Sequence, residues 1–170
     1  MGNHAFRIAV LIIAIAAVPG RVEAQAPAFG YAFAGPIAVA GLGERSVAWN
    51  AGGGGELWTG NGTSVGGELG YLYFPSAERR DPCCLSVPSA GGLLASGNVF
   101  RHFTISQRKA WQPFITGGLS YLSGGEPAGF FNVGGGVERW ITPHAGIRFE
   151  VREQFGAGSL LGLRIGVVFR

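Results

Sequence analysis

Charge is scarce in this chain. Only 14% of its 170 residues are Asp, Glu, Lys or Arg, against about 25% in an ordinary soluble domain. An exported soluble domain with so few ions would lack polar groups to show to water. The net charge of +3 is too small and too dispersed for a nucleic-acid-binding surface, so no nucleic-acid partner is expected. There are three histidines, of which His102 and His144 lie beyond the N-terminal segment. There are two cysteines, the adjacent pair Cys83 and Cys84. Neighbouring cysteines close only a strained ring, which excludes a stabilising staple, and no further cysteine completes a metal site. The pair reads as two loop thiols or an occasional vicinal disulfide. Long apolar runs are missing as well. Beyond the N-terminal segment none approaches the roughly 18 residues of a membrane-crossing helix.

What is abundant is glycine, with 31 residues. They lack the period of collagen and sit inside runs of alternating hydrophobicity, where glycine permits tight curvature and close packing. Residues 1–24 read as a secretory signal peptide. Arg7 supplies the positive start, Ile8 to Val18 the apolar run, and Val22-Glu23-Ala24 the small side chains at a cleavage site. Cleavage is expected after Ala24, and no cysteine follows to carry a lipoprotein anchor. The mature chain, 25–170, is then one domain.

That domain divides into eight alternating segments. The first six are expected over 29–40, 46–59, 63–74, 93–104, 111–122 and 129–141. The seventh follows the turn Thr142-Pro143-His144, and the eighth follows the turn 156–159. The last two show the pattern most clearly. Ile147, Phe149 and Val151 alternate with Arg148, Glu150 and Arg152, while Leu161, Leu163, Ile165, Val167 and Phe169 alternate with Gly162, Arg164, Gly166 and Val168. Successive side chains of a strand point to opposite faces, so each run has one greasy face and one charged or small face. Asn61-Gly62 is the strongest hairpin signal, a two-residue turn that needs positive φ. Pro36 inside the first segment marks an edge or a bulge.

The reading that satisfies all of this is all-β: an eight-stranded antiparallel up-and-down transmembrane β-barrel, with grease facing lipid and ions inside. An even strand number returns both termini to one end, and closure leaves no unpaired edge. The connections after the second, fourth and sixth strands are short. The longest, 75–91, falls at the opposite end. Trp49, Trp58, Tyr71, Tyr73, Trp111, Tyr121 and Trp140 fall near strand ends, as interfacial girdles do.

Four stretches, Asn50-Ala-Gly-Gly-Gly-Gly-Glu56, Gly67-Glu68-Leu-Gly-Tyr71, Gly134-Gly-Gly-Val-Glu138 and Gly146-Ile-Arg-Phe-Glu-Val-Arg152, carry a family likeness. Over residues 29–169 the chain resembles the small eight-stranded outer-membrane barrels, the OmpA-like and opacity-type β-barrel domains. The resemblance implies a place in the Gram-negative outer membrane, outer-membrane lipid and the barrel-assembly machinery as partners, and a structural or surface-exposed role. Chains of that family commonly end in an aromatic residue read by the assembly machinery, whereas here Arg170 follows Phe169. No peptidoglycan-binding domain is expected, and the barrel is expected to be monomeric.

The candidate site is the set of ions on the non-greasy parity: Glu56, Glu68, Glu138, Arg148, Glu150, Arg152 and Arg164. An eight-stranded lumen is just wide enough for side chains to fill, and ions there must pair. A closed plug of salt bridges is the expected reading. A narrow porin-like path along the same residues is the alternative, with a soluble lipocalin-like ligand barrel behind it. Nothing calls for a cofactor or a metal. No catalysis is expected either, because His102 has no carboxylate placed by sequence to orient its ring. The glycine runs 52–55 and 134–136 lack the helix and Lys-Ser/Thr of a phosphate loop. Glu78, Arg79, Arg80 and Asp81 in the long connection are the candidates for outer-loop recognition.

Overall fold

Alternation carries the chain into eight long strands. In the computed structural model these are β1 (Ala28–Ala40), β2 (Ser46–Gly60), β3 (Thr63–Phe74), β4 (Ala90–His102), β5 (Trp111–Ser123), β6 (Ala128–Trp140), β7 (Ala145–Phe155) and β8 (Ser159–Phe169). The structure describes residues 28–40, 46–75, 90–103, 111–124, 127–156 and 158–170. The expected leader 1–24, the cysteine pair and Glu78, Arg79, Arg80 and Asp81 lie outside the described residues.

Each strand pairs antiparallel with its sequence neighbour, and β1 pairs with β8, so the sheet closes in the order β1 to β8. The topology is up-and-down, as the alternation predicts. The fourth strand starts at Ala90, three residues before the expected position, because Gly91 and Gly92 pair opposite Tyr73 and Leu72. The hairpin at Asn61-Gly62 forms as its residue types require. Asn61 sits at φ 52° and Gly62 at φ 75°, and Gly60 faces Thr63 across the two-residue loop. This loop, the β6–β7 turn, the start of β1 and the ends of β4 and β8 share one end of the barrel, the terminal end.

Parity then decides which side chains face in. In β7 the pattern is as simple as the sequence: Arg148, Glu150 and Arg152 are buried in the lumen while Phe149 and Val151 face outward. Strand β1 is the exception to the expectation that grease faces lipid. Its large residues Phe29, Tyr31, Phe33, Ile37 and Val39 are all buried inside, and its outer face is left to Ala32, Ala34 and Ala38, which are exposed. The reason lies in the neighbouring strand. The glycine run of β2 pairs with β1, Tyr31 opposite Gly54 and Phe33 opposite Gly52. A Cβ on Gly54 would come within 2.8 Å of the Tyr31 ring. Gly52 and Gly54, on the inward face of the run, are therefore the seat for two lumen-filling rings.

Trp58 and Trp140 also depart from expectation. Counted by parity they fall with Glu56 and Glu138, and they turn inward to pack on the cluster of Phe29, Tyr31, Phe33 and Val168. Trp49, Tyr71, Tyr73, Trp111 and Tyr121 do face outward. The opposite end of the lumen is filled by a second apolar cluster, Ile37, Val39, Ala48, Leu72, Phe130 and Leu160. The ions lie between the two.

Candidate functional site: the ionic lumen

Seven ions from β2, β3, β6, β7 and β8 converge on the space between these clusters, and each is nearly inaccessible to solvent. Arg148 is the hub. Its Nη1 bridges Glu56 Oε1 at 2.7 Å and Glu138 Oε1 at 3.0 Å, and its Nε lies 3.3 Å from Glu150 Oε2. The guanidinium also lies over the rings of Phe114 and Tyr31, 4.1 and 4.4 Å from their centroids. Arg's planar guanidinium suits this combination of several carboxylate partners and ring stacking better than a lysine would. Glu150 passes the chain on to Arg152 at 2.5 Å, and Arg152 reaches Glu68 at 2.8 Å. Glu68 is completed by Arg164 at 2.7 Å and by the Tyr31 hydroxyl, which donates at 3.0 Å. One connected network thus ties together strands that are far apart in sequence, including β2 to β7 and β3 to β8.

The network has one member beyond the seven ions, on the inward parity that alternation gives it. His102, at the end of β4, is buried with its Nε2 2.9 Å from Glu56 Oε2 and its Nδ1 4.0 Å from Glu138 Oε2. Two carboxylates flank the ring that the sequence leaves without one. The reason is register: β2 and β4 both pair with β3, and β4 and β6 both with β5, which brings Glu56 and Glu138 to either side of His102. Ser64 donates to Glu56 Oε2 at 2.6 Å and lies 3.3 Å from His102 Nε2. A serine, a histidine and a carboxylate in contact evoke nucleophilic catalysis, yet all three are buried under Trp58 and Phe29, whose rings pack on the imidazole. Substrate has no access to the hydroxyl here. Both ring nitrogens of His102 face carboxylate oxygens. Further along, Asn132 donates to Ser120 Oγ at 2.8 Å and Ser120 lies 2.9 Å from Ser96, a neutral polar layer beside the ions.

Outside, the picture reverses. Leu163, Ile165 and Val167 are 55%, 62% and 54% exposed, on the same strand that buries Arg164. A soluble ligand-binding barrel requires the opposite arrangement, aliphatic side chains within and ions without. His144 lies exposed in the β6–β7 turn, away from the network. No group of three or more metal-ligating side chains occurs among the described residues.

No protein-family model matches the chain, and no curated protein matches it. Solved structures do. The chain is similar to Neisserial surface protein A, with a TM-score of 0.69 at 12% identity, over 84% of this chain and 96% of that one. It is similar to the N-terminal β-barrel domain of Pseudomonas aeruginosa OprF, with a TM-score of 0.59 at 18% identity, over 85% and 97%. A third similar structure is Ail, the attachment invasion locus protein of Yersinia pestis, with a TM-score of 0.51 at 11% identity, over 84% and 95%. The chain therefore has the fold of the small eight-stranded outer-membrane barrels.

Proposed function

We propose that this protein is an integral outer-membrane β-barrel of a Gram-negative cell with a structural or surface-exposed role and no catalytic activity, its lumen closed by the Glu/Arg network. One observation carries the reading. The same strands that bury seven ions turn a belt of Leu, Ile, Val and aromatic side chains outward, and such a belt is stable only against hydrocarbon. Export through a cleaved leader, insertion by the barrel-assembly machinery and contact with outer-membrane lipid belong to this reading. The lumen supports a plug over a conduit because apolar clusters fill both its ends and every ion in it is paired. A conducting path needs water-accessible charge along its length.

The test is heat-modifiability combined with conductance. After a carbonate wash the protein is expected to stay with the membrane fraction, and unboiled material to migrate differently from boiled material on a gel. Reconstituted in a planar bilayer, it is expected to give no steady single-channel current. Release by carbonate without a gel shift would overturn the membrane reading. A reproducible unit conductance would replace the plug with a channel.

A further inference from the structure

The outer wall carries a groove whose chemistry is divided along its length. It has a volume of about 470 Å³ and lies across β4, β5 and β6. Its floor is Gly117, which in register stands between Val99 and Val133. Those two side chains point outward, more than half exposed, so the missing side chain leaves a slot between two apolar walls. One step nearer the terminal end, the register row runs Thr63, Arg101, Ile115. The groove thus ends on a cation and a hydroxyl. Arg101 Nη1 donates to Thr63 Oγ1 at 3.0 Å and to the Asn61 carbonyl oxygen. A guanidinium has five donors, more than these contacts use. Other cations share the terminal end. Arg139 and Arg170 are also exposed at this end, Arg139 over the Trp111 ring and Arg170 over the Trp140 ring. Among the described residues the outward-facing carboxylate is Glu153, which stands beside Val133 in register, on the wall away from Arg101, and accepts from Ser159 Oγ at 3.0 Å.

We propose that this groove is a binding site for an anionic phospholipid, one acyl chain lying over Gly117 and the headgroup phosphate meeting Arg101 and Thr63. The site rests on the membrane reading above and specifies a partner for it. An apolar slot of this size falls in the range of ligand sites, where a few placed polar groups fix orientation. The fork of Arg101 matches a phosphate, and its position at the barrel end is where headgroups sit. A free anion would use Arg101 without needing the slot, and a zwitterionic phospholipid would bring the same phosphate together with an ammonium that Arg101 repels. The two features together select a lipid that carries negative charge.

The experiment is native mass spectrometry of detergent-refolded protein titrated with phosphatidylglycerol or phosphatidylcholine, with the unboiled gel shift run in parallel. Wild type is expected to retain phosphatidylglycerol with about tenfold preference, the scale of one charge-assisted contact. Arg101→Gln removes the preference and Arg101→Lys keeps most of it. Gly117→Leu fills the slot and lowers retention of both lipids about tenfold by blocking the acyl chain. It does so with the gel shift intact, because a Cβ there meets only the Asn132 carbonyl oxygen at 3.7 Å. Equal retention of the two lipids by wild type overturns the site, as does Gly117→Leu binding like wild type. Displacement by inorganic phosphate with no effect of Gly117→Leu would reduce the site to an anion contact and contradict the lipid. Loss of the gel shift in wild type itself would instead sink the membrane barrel beneath it.

Discussion

Arg148→Met is expected to destabilise the barrel by about 3–5 kcal/mol, the usual cost of removing one partner from a buried ion pair. The side chain is replaced by one of similar reach, so little packing volume is lost. What changes is charge. Glu56, Glu138 and Glu150 all face Arg148 within 3.3 Å, and each would be left buried with fewer partners in a medium that cannot hydrate it. Glu138 loses most, because its remaining neighbour is His102 Nδ1 at 4.0 Å. The check is urea unfolding of the refolded protein in detergent, followed by the gel shift. The double variant Arg148→Met with Glu138→Gln is expected to recover part of the loss, because it removes a lone charge along with its partner. A loss below about 1 kcal/mol for the single variant would mean that the lumen is wet enough to solvate its ions.

Ile165→Arg is the counterpart on the outer wall. Ile165 is 62% exposed and pairs with Ala34 on one side and Phe149 on the other, near the middle of β8. On a lipid-facing surface an arginine at the bilayer midplane costs about 2–4 kcal/mol, and the cost falls to about 0–1 near the interface. Val47→Arg, near the start of β2 and similarly exposed at 56%, is the shallow control. The first substitution is expected to be severe and the second mild, in the same unfolding assay carried out in lipid. On a water-facing surface both would stay within about 0.5 kcal/mol of wild type, and the depth dependence would vanish.

These two expectations mark what local pattern reveals and where it stops. The eight strands, the Asn61-Gly62 hairpin and the shared parity of Glu56, Glu68, Glu138, Arg148, Glu150, Arg152 and Arg164 were all legible, because a strand's period of two is a property of adjacent residues. Which face of a strand points inward is not. In β7 and β8 the ions decide it. In β1 neither face carries an ion, and the answer depends on whether the neighbouring strand has room. The glycines of β2 make that room, so Tyr31 and Phe33 fill the lumen and alanines meet the outside. Trp58 and Trp140 mislead in a similar way, since nearness to a strand end says nothing of side. The pairing of His102 with Glu56 and Glu138 needs register carried through successive strands around a closed barrel. No segment of sequence contains that information.

On the proposed reading the aliphatic face of these strands touches hydrocarbon while the ionic face is shut away from it. Nuclear Overhauser contacts between methyl groups and lipid acyl chains test it most directly, on methyl-labelled protein in nanodiscs. Contacts are expected from Leu163, Ile165 and Val167, which face outward, and none from Ile37, Leu72 and Leu94, which are buried in the lumen. Acyl-chain contacts from the second group, or their absence from the first, would contradict the account.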